Sequence, residues 1–191
     1  MTPEVPEALA VLARVATVLE DLQIRYHVGG SYAASVHGVP RQTQDIDLVV
    51  ELAPDHIRDL VQALSRQFFI QESTARDAVQ YRRSFNAIHL DSGLKVDFFV
   101  RGDEPYDLEE FKRHKPHPLF DDRVVPIKSP EDTVLRKLEW YRSGGEVSDR
   151  QWTDVLGILR TQTGTLDQAY LRKWATRLGI GDLLDRAVDE F

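Results

Sequence analysis

Cysteine is absent from the chain and methionine occurs once. Without a thiol, disulfides, cysteine nucleophiles and cysteine-ligated zinc are excluded. No apolar run approaches the roughly 18 residues needed to span a bilayer. No basic-then-apolar leader opens the chain either, so a cytoplasmic protein without a membrane partner is the expectation. Positive charge is scarce. Lysine and arginine total 24 against 31 acids, a net charge of −7, which argues against a broad nucleic-acid footprint and leaves room only for local basic patches. What remains is ordinary for a globular protein, 42% hydrophobic and 29% charged over 191 residues, and enough to bury a core. No internal repeat or low-complexity segment interrupts it.

The most informative stretch runs from Tyr26 to Leu48. Tyr26 and Val28 favour a strand that runs into Gly29 and Gly30, where a turn few other residues adopt lets backbone N–H groups approach a ligand. Ser31 reads as an N-cap, Ala33 to Val36 as a short helix, and Gly38 as its stop. A helix that starts on a glycine turn favours an anion, because its unpaired N–H groups and its dipole act together. A second strand then carries Asp45 and Asp47 on one face and Ile46, Leu48 and Val50 on the other. Two carboxylates so placed repel unless a cation lies between them. A hard divalent ion suits them, since Mg²⁺ takes one or two carboxylates plus substrate phosphates.

A third carboxylate recurs downstream. Ser84 to Leu90 and Leu94 to Val100 read as two strands joined by an Asp91-Ser92-Gly93 turn. In the second, Val96, Phe98 and Val100 alternate with Lys95, Asp97 and Phe99. Asp97 is the candidate third metal ligand.

Elsewhere, residues 4–22 carry helical apolar spacing broad enough to lie across a sheet. Pro54 opens a helix bearing Ile57, Leu60, Val61 and Leu64. Residues 68–71 suggest a short strand, and 74–80 fit either a loop or a helical turn. A short helix is expected from about Asp107, ending in the basic group Lys112, Arg113, His114 and Lys115, which suits a solvated helix end or a contact to triphosphate or RNA. Residues 123–127 read as a last strand that Pro126 assigns to a sheet edge. From Ser129-Pro130 onward the pattern is helical, with Ser129 and Ser148 as caps. His27 and His37 are assigned to packing or solvent.

Gly29-Gly30-Ser31, with the later Arg41-Gln42-Thr43-Gln44-Asp45-Ile46-Asp47-Leu48, resembles the polymerase-beta-like nucleotidyltransferase superfamily. It is most similar to bacterial toxins of the AbiEii abortive-infection type and their uncharacterised relatives. That resemblance implies an α+β fold: a mixed sheet flanked by helices over residues 1–127, with a C-terminal helical region, 128–191, packed on it. It also implies Asp45, Asp47 and Asp97 as catalytic residues holding Mg²⁺ or Mn²⁺. Gly29, Gly30, Ser31, Arg41, Thr43 and Lys137 would hold a nucleoside triphosphate. Arg41 could equally pin its loop, and Lys137 could equally be a surface lysine along an apolar stripe. Asp149 and Asp154 approximate a later acidic motif of those toxins, although Arg150-Gln151 stands where a basic-acidic pair is expected. The implied activity is transfer of a nucleotide to a tRNA end, a protein hydroxyl or a small molecule, with a cognate antitoxin as partner. The alternative is a non-catalytic domain of the same fold that binds a nucleotide or a protein.

Overall fold

The computed structural model describes residues 5–43 and 45–191, and these fall into two compact units. One, the sheet unit, holds the chain up to Gly29 together with Thr43–Ile127; the other, the helical unit, joins Gly30–Gln42 to Lys128–Phe191.

The sheet unit contains helix α1 (Glu7–Asp21), strands β1 (Tyr26–Val28) and β2 (Asp45–Val50), helix α3 (His56–Leu64), strand β3 (Phe68–Ile70), helix α4 (Glu72–Tyr81), strands β4 (Ser84–His89) and β5 (Lys95–Val100), helix α5 (Pro105–Lys112), and strands β6 (Lys115–Pro118) and β7 (Val124–Ile127). The strands form one mixed sheet in the order β3-β4-β5-β2-β1-β7-β6, with β2 parallel to β5 and β1 parallel to β7. Alternation decides the two faces. Ile46, Leu48, Val50, Val96, Phe98, Phe85 and Ala87 are buried on one side, beneath α1, α3 and α4, with Phe85 and Phe98 stacked at 4.9 Å. The side chains of Asp45, Asp47, Lys95 and Asp97 leave the other face and are half-buried. This is the α+β architecture the resemblance implied.

Three local readings change. The ambiguous residues 74–80 belong to α4, which hides Ala75, Ala78 and Val79 and stops at Arg82 with a left-handed φ of 50°; small apolar residues made its stripe faint. Helix α5 begins at Pro105 because Glu104 and Asp107 close a capping box there. Strand β7 is not an edge: β1 and β6 flank it. Pro126 faces Pro116 across the antiparallel pair, and two residues without N–H groups suit a non-hydrogen-bonded position of that ladder. Residue 4, the expected start of α1, lies outside the described residues. His27 is buried against Phe111, with Glu110 3.6 Å away, as the packing assignment expected. Lys112, His114 and Lys115 lie exposed around the end of α5.

The helical unit contains α2 (Gly30–His37), α6 (Pro130–Ser143), α7 (Asp149–Thr161), α8 (Gln168–Arg177) and α9 (Gly181–Asp189). Ser129 caps α6 by accepting from the Asp132 N–H, and Ser148 caps α7 by accepting from Gln151, each worth about 1 kcal/mol. Asp132 is wholly buried and accepts hydrogen bonds from Ser129 at 2.5 Å and the Tyr170 hydroxyl at 2.6 Å, tying α6 to α8. His37 lies 2.7 Å from the Lys128 carbonyl. Helices α2 and α7 pack backbone to backbone: a Cβ placed on Gly38 would meet the Ile158 nitrogen at 2.9 Å. Among the described residues no helix is long and apolar enough to cross a membrane.

Candidate active-site residues

In the sheet unit the acidic residues are arranged by strand register. Asp47 stands directly opposite Asp97, and Asp45 opposite Lys95, on the parallel pair β2–β5. Like charges on adjacent positions need a cation. Lys95 supplies it: its ammonium is 2.8 Å from an Asp97 oxygen. The hydrogen bond to Asp97 holds the lysine pKa above its ordinary value against partial burial, and the charges of Asp97, Asp45 and Asp47 add to that. The ammonium is thus ion-paired to Asp97, and Asp45 and Asp47 add to the same negative field. Three carboxylates on one face are donors of the type a hard divalent metal takes. Among the described residues the carboxylates are not themselves gathered into a metal cage.

The other sequence-predicted residues divide between different duties. The Gly29 N–H donates to the Asp47 carbonyl at 2.9 Å, so that group already has a partner within the sheet unit. The Thr43 hydroxyl donates to the Asp45 carbonyl at 2.8 Å and steadies the entry of β2. Gly30 has φ 53° and is the first residue of α2, which places Ser31 in the first turn and not at the N-cap position expected for it. The helix starts a residue early because Gly30 tolerates that turn.

Within the helical unit the Ser31 hydroxyl accepts from Arg41 at 2.9 Å and from Arg150 at 3.1 Å. Arg41 also clasps Asp154 with two hydrogen bonds, 2.9 and 2.8 Å. Lys137 is buried, 2.7 Å from Asp154 and 2.9 Å from the Gln151 amide oxygen. The surface-lysine alternative is thus overturned: the edge of the apolar stripe on α6 is covered by α7. Burial pushes the Asp154 carboxyl up, but hydrogen bonds from Arg41 and Lys137 outweigh it and hold the pKa below the ordinary carboxylate value. The same carboxylate raises the pKa of Arg41 despite that residue's partial burial. Asp154 therefore sets the positions of two cations, and Arg150 is a further cation that sequence reasoning treated only as a departure from a motif. The available signal was spacing: Arg150 and Asp154 are one helical turn apart on α7.

A glycine turn ahead of a short helix, a strand bearing two aspartates and a parallel neighbour bearing a third are the features that the resemblance to polymerase-beta-like nucleotidyltransferases implied. Solved structures agree on the fold. An antigenic nucleotidyltransferase-like protein from Paracoccidioides brasiliensis matches with a TM-score of 0.58 at 16% identity, over 95% of this chain and 91% of that one. A putative nucleotidyltransferase from Thermotoga maritima matches at 0.51 and 19% identity, over 78% and 94%. The lincosamide antibiotic adenylyltransferase LnuA, solved with lincomycin bound, matches at 0.52 and 14% identity, over 81% and 96%. Residues 23–190 match the model of the nucleotidyl transferase AbiEii toxin family of type IV toxin–antitoxin systems, and the chain belongs to that family. No curated protein matches it in sequence.

Proposed function

We propose that the chain transfers a nucleotidyl group from a nucleoside triphosphate to an acceptor hydroxyl, dependent on Mg²⁺ or Mn²⁺, as the toxin of a toxin–antitoxin pair. The observation that carries this reading is the register of β2 and β5, which sets Asp47 directly opposite Asp97 with Asp45 on the same face, and the Lys95 ammonium 2.8 Å from Asp97. Binding a nucleotide alone has no need of three carboxylates on one face.

Asp45, Asp47 and Asp97 would hold the divalent ion, with Lys95 yielding its oxygen on Asp97. When bound, the ion neutralises charge on the phosphates and the attacking oxygen. Asp97 is the group that would take the proton of the acceptor hydroxyl as general base. Gly30, Ser31, Arg41 and Lys137 would hold the triphosphate. The Ser31 hydroxyl can turn from accepting to donating, and Arg41 and Lys137 arrive already oriented by Asp154. Orientation established before binding lowers the barrier without reorganisation at the moment of reaction. Thr43 would support the nucleotide indirectly, through the start of β2.

The acceptor is a tRNA end, a protein hydroxyl or a small molecule, and a cognate antitoxin would restrain the activity in a bacterial cytoplasm. The test is incubation with each labelled nucleoside triphosphate, Mg²⁺ and total tRNA or cell lysate. Label moved to one fraction, and lost on chelation, supports the reading. Nucleotide bound but never transferred would instead favour a non-catalytic domain of this fold.

A further inference from the structure

Helices α2 and α7 run parallel. Ser31, in the first turn of α2, meets Arg150, in the first turn of α7, at 3.1 Å, and near the far end Gly38 lies against Ile158. Two positive helix ends are therefore brought together, an arrangement that favours an anion beside them. The first turn of α7 holds Asp149, which suits the helix dipole, and Arg150, which opposes it, and among the described residues no ion pair joins the two. Among the described residues Arg150 has no carboxylate partner; its hydrogen bond goes to the neutral Ser31 hydroxyl. The same oxygen accepts from Arg41, so two guanidinium groups converge within hydrogen-bond reach of one atom. Asp154 pairs with Arg41, whereas among the described residues no carboxylate is ion-paired to Arg150. Repulsion between two such groups is relieved best by a planar-accessible oxyanion of high charge, which guanidinium forks bind in pairs.

We infer that Arg150 reads phosphate number: together with Arg41 it takes the terminal phosphoryl group of a nucleoside triphosphate and makes the triphosphate preferred over di- and monophosphate. This rests on the nucleotide-binding reading above and adds to it a residue that confers specificity. Arg150 is exposed, so it can leave Ser31 for the ligand, and its replacement leaves the helical core intact.

The test is calorimetric titration of the full chain with ATP, ADP and AMP in Mg²⁺, for wild type, Arg150→Ala and Arg150→Lys, with circular dichroism confirming the folded state. The expected result is that wild type prefers ATP, and that Arg150→Ala loses on the order of tenfold or more of ATP affinity, as for one charged hydrogen bond. AMP affinity should stay unchanged, and Arg150→Lys should recover part of the loss. An ATP-to-ADP preference that survives Arg150→Ala overturns the inference and leaves nucleotide binding standing. An equal loss for all three nucleotides overturns it too, by showing a merely structural role. A wild-type protein that binds none of the three refutes the nucleotide-binding reading itself.

Discussion

The two units solve the same problem, holding like charges close together, in opposite ways. On the sheet, three aspartates and one lysine share a face because strand register puts them there. The compensating ammonium is 42% exposed, so water does much of the screening and the arrangement costs little. In the helical unit the roles are reversed. One carboxylate, Asp154, only 8% exposed, holds two cations taken from the loop after α2 and from α6. A cluster made by backbone register tolerates the exchange of its cation; a cluster made by side-chain pairing in a low-dielectric interior does not. In the proposed function the first would admit a metal, and the second would present fixed charges to a ligand.

The largest expected effect breaks the buried cluster. Asp154→Ala leaves Arg41 and Lys137 without their shared partner and should cost about 3 kcal/mol or more of unfolding free energy, measured in urea. The pH dependence has a defined sign. Because the folded-state pKa lies below the ordinary value of 3.8, the contribution of Asp154 is present above that pH and is lost as pH falls through the folded pKa. Asp154→Asn should flatten this part of the acid limb of stability, and an unchanged limb would show that the carboxylate carries no such role.

Next in size are the sheet carboxylates, where activity and not stability should suffer. Asp45→Ala or Asp47→Ala should lower transfer on the order of 10²–10³-fold, while the melting temperature holds or rises as repulsion eases. Retained transfer in either variant would defeat the metal-centred reading. Ser31→Ala is expected to be milder. It keeps the backbone of the turn and removes one hydroxyl, weakening triphosphate binding by about 1.5–3 kcal/mol; Lys137→Ala should weaken it similarly. If Ser31→Ala abolished transfer while the aspartate variants kept it, the division of labour between the units would be reversed.

Smallest is Lys95→Ala. An exposed pair contributes about 0–1 kcal/mol, so unfolding should hardly change. Divalent-ion affinity, read by calorimetry, should rise once the competing ammonium is gone. A fall in affinity would make Lys95 a supporting residue of the metal site and not its stand-in.

Much of the carboxylate face was legible because a strand's period of two is a local property. Ile46, Leu48 and Val50 alternating with Asp45 and Asp47, and Val96 and Phe98 alternating with Asp97, assign faces without any knowledge of neighbours. The caps at Ser129 and Ser148 were legible for the same reason, since each bonds a backbone group three residues on. The Ser31 cap was misplaced because Gly30 allowed an earlier helix start. Helix α4 was faint because alanines carry its buried face. The edge assignment of β7 failed because β6, rich in proline, carries little strand signal of its own.

By itself, then, the chain determined its strands apart from β6, most of its helices, the shared face of Asp45 and Asp47, and the candidacy of Asp97. Only the tertiary structure decided that Asp97 lies opposite Asp47, that the segment from Gly30 to Gln42 joins the C-terminal helices, and that Lys137 is buried on Asp154 beside Arg41. It alone brought Arg150 to Ser31. The physical reason is distance along the chain: alternation and capping act over two to four residues, whereas strand register and buried ion pairs join segments that meet only when the core closes and water leaves.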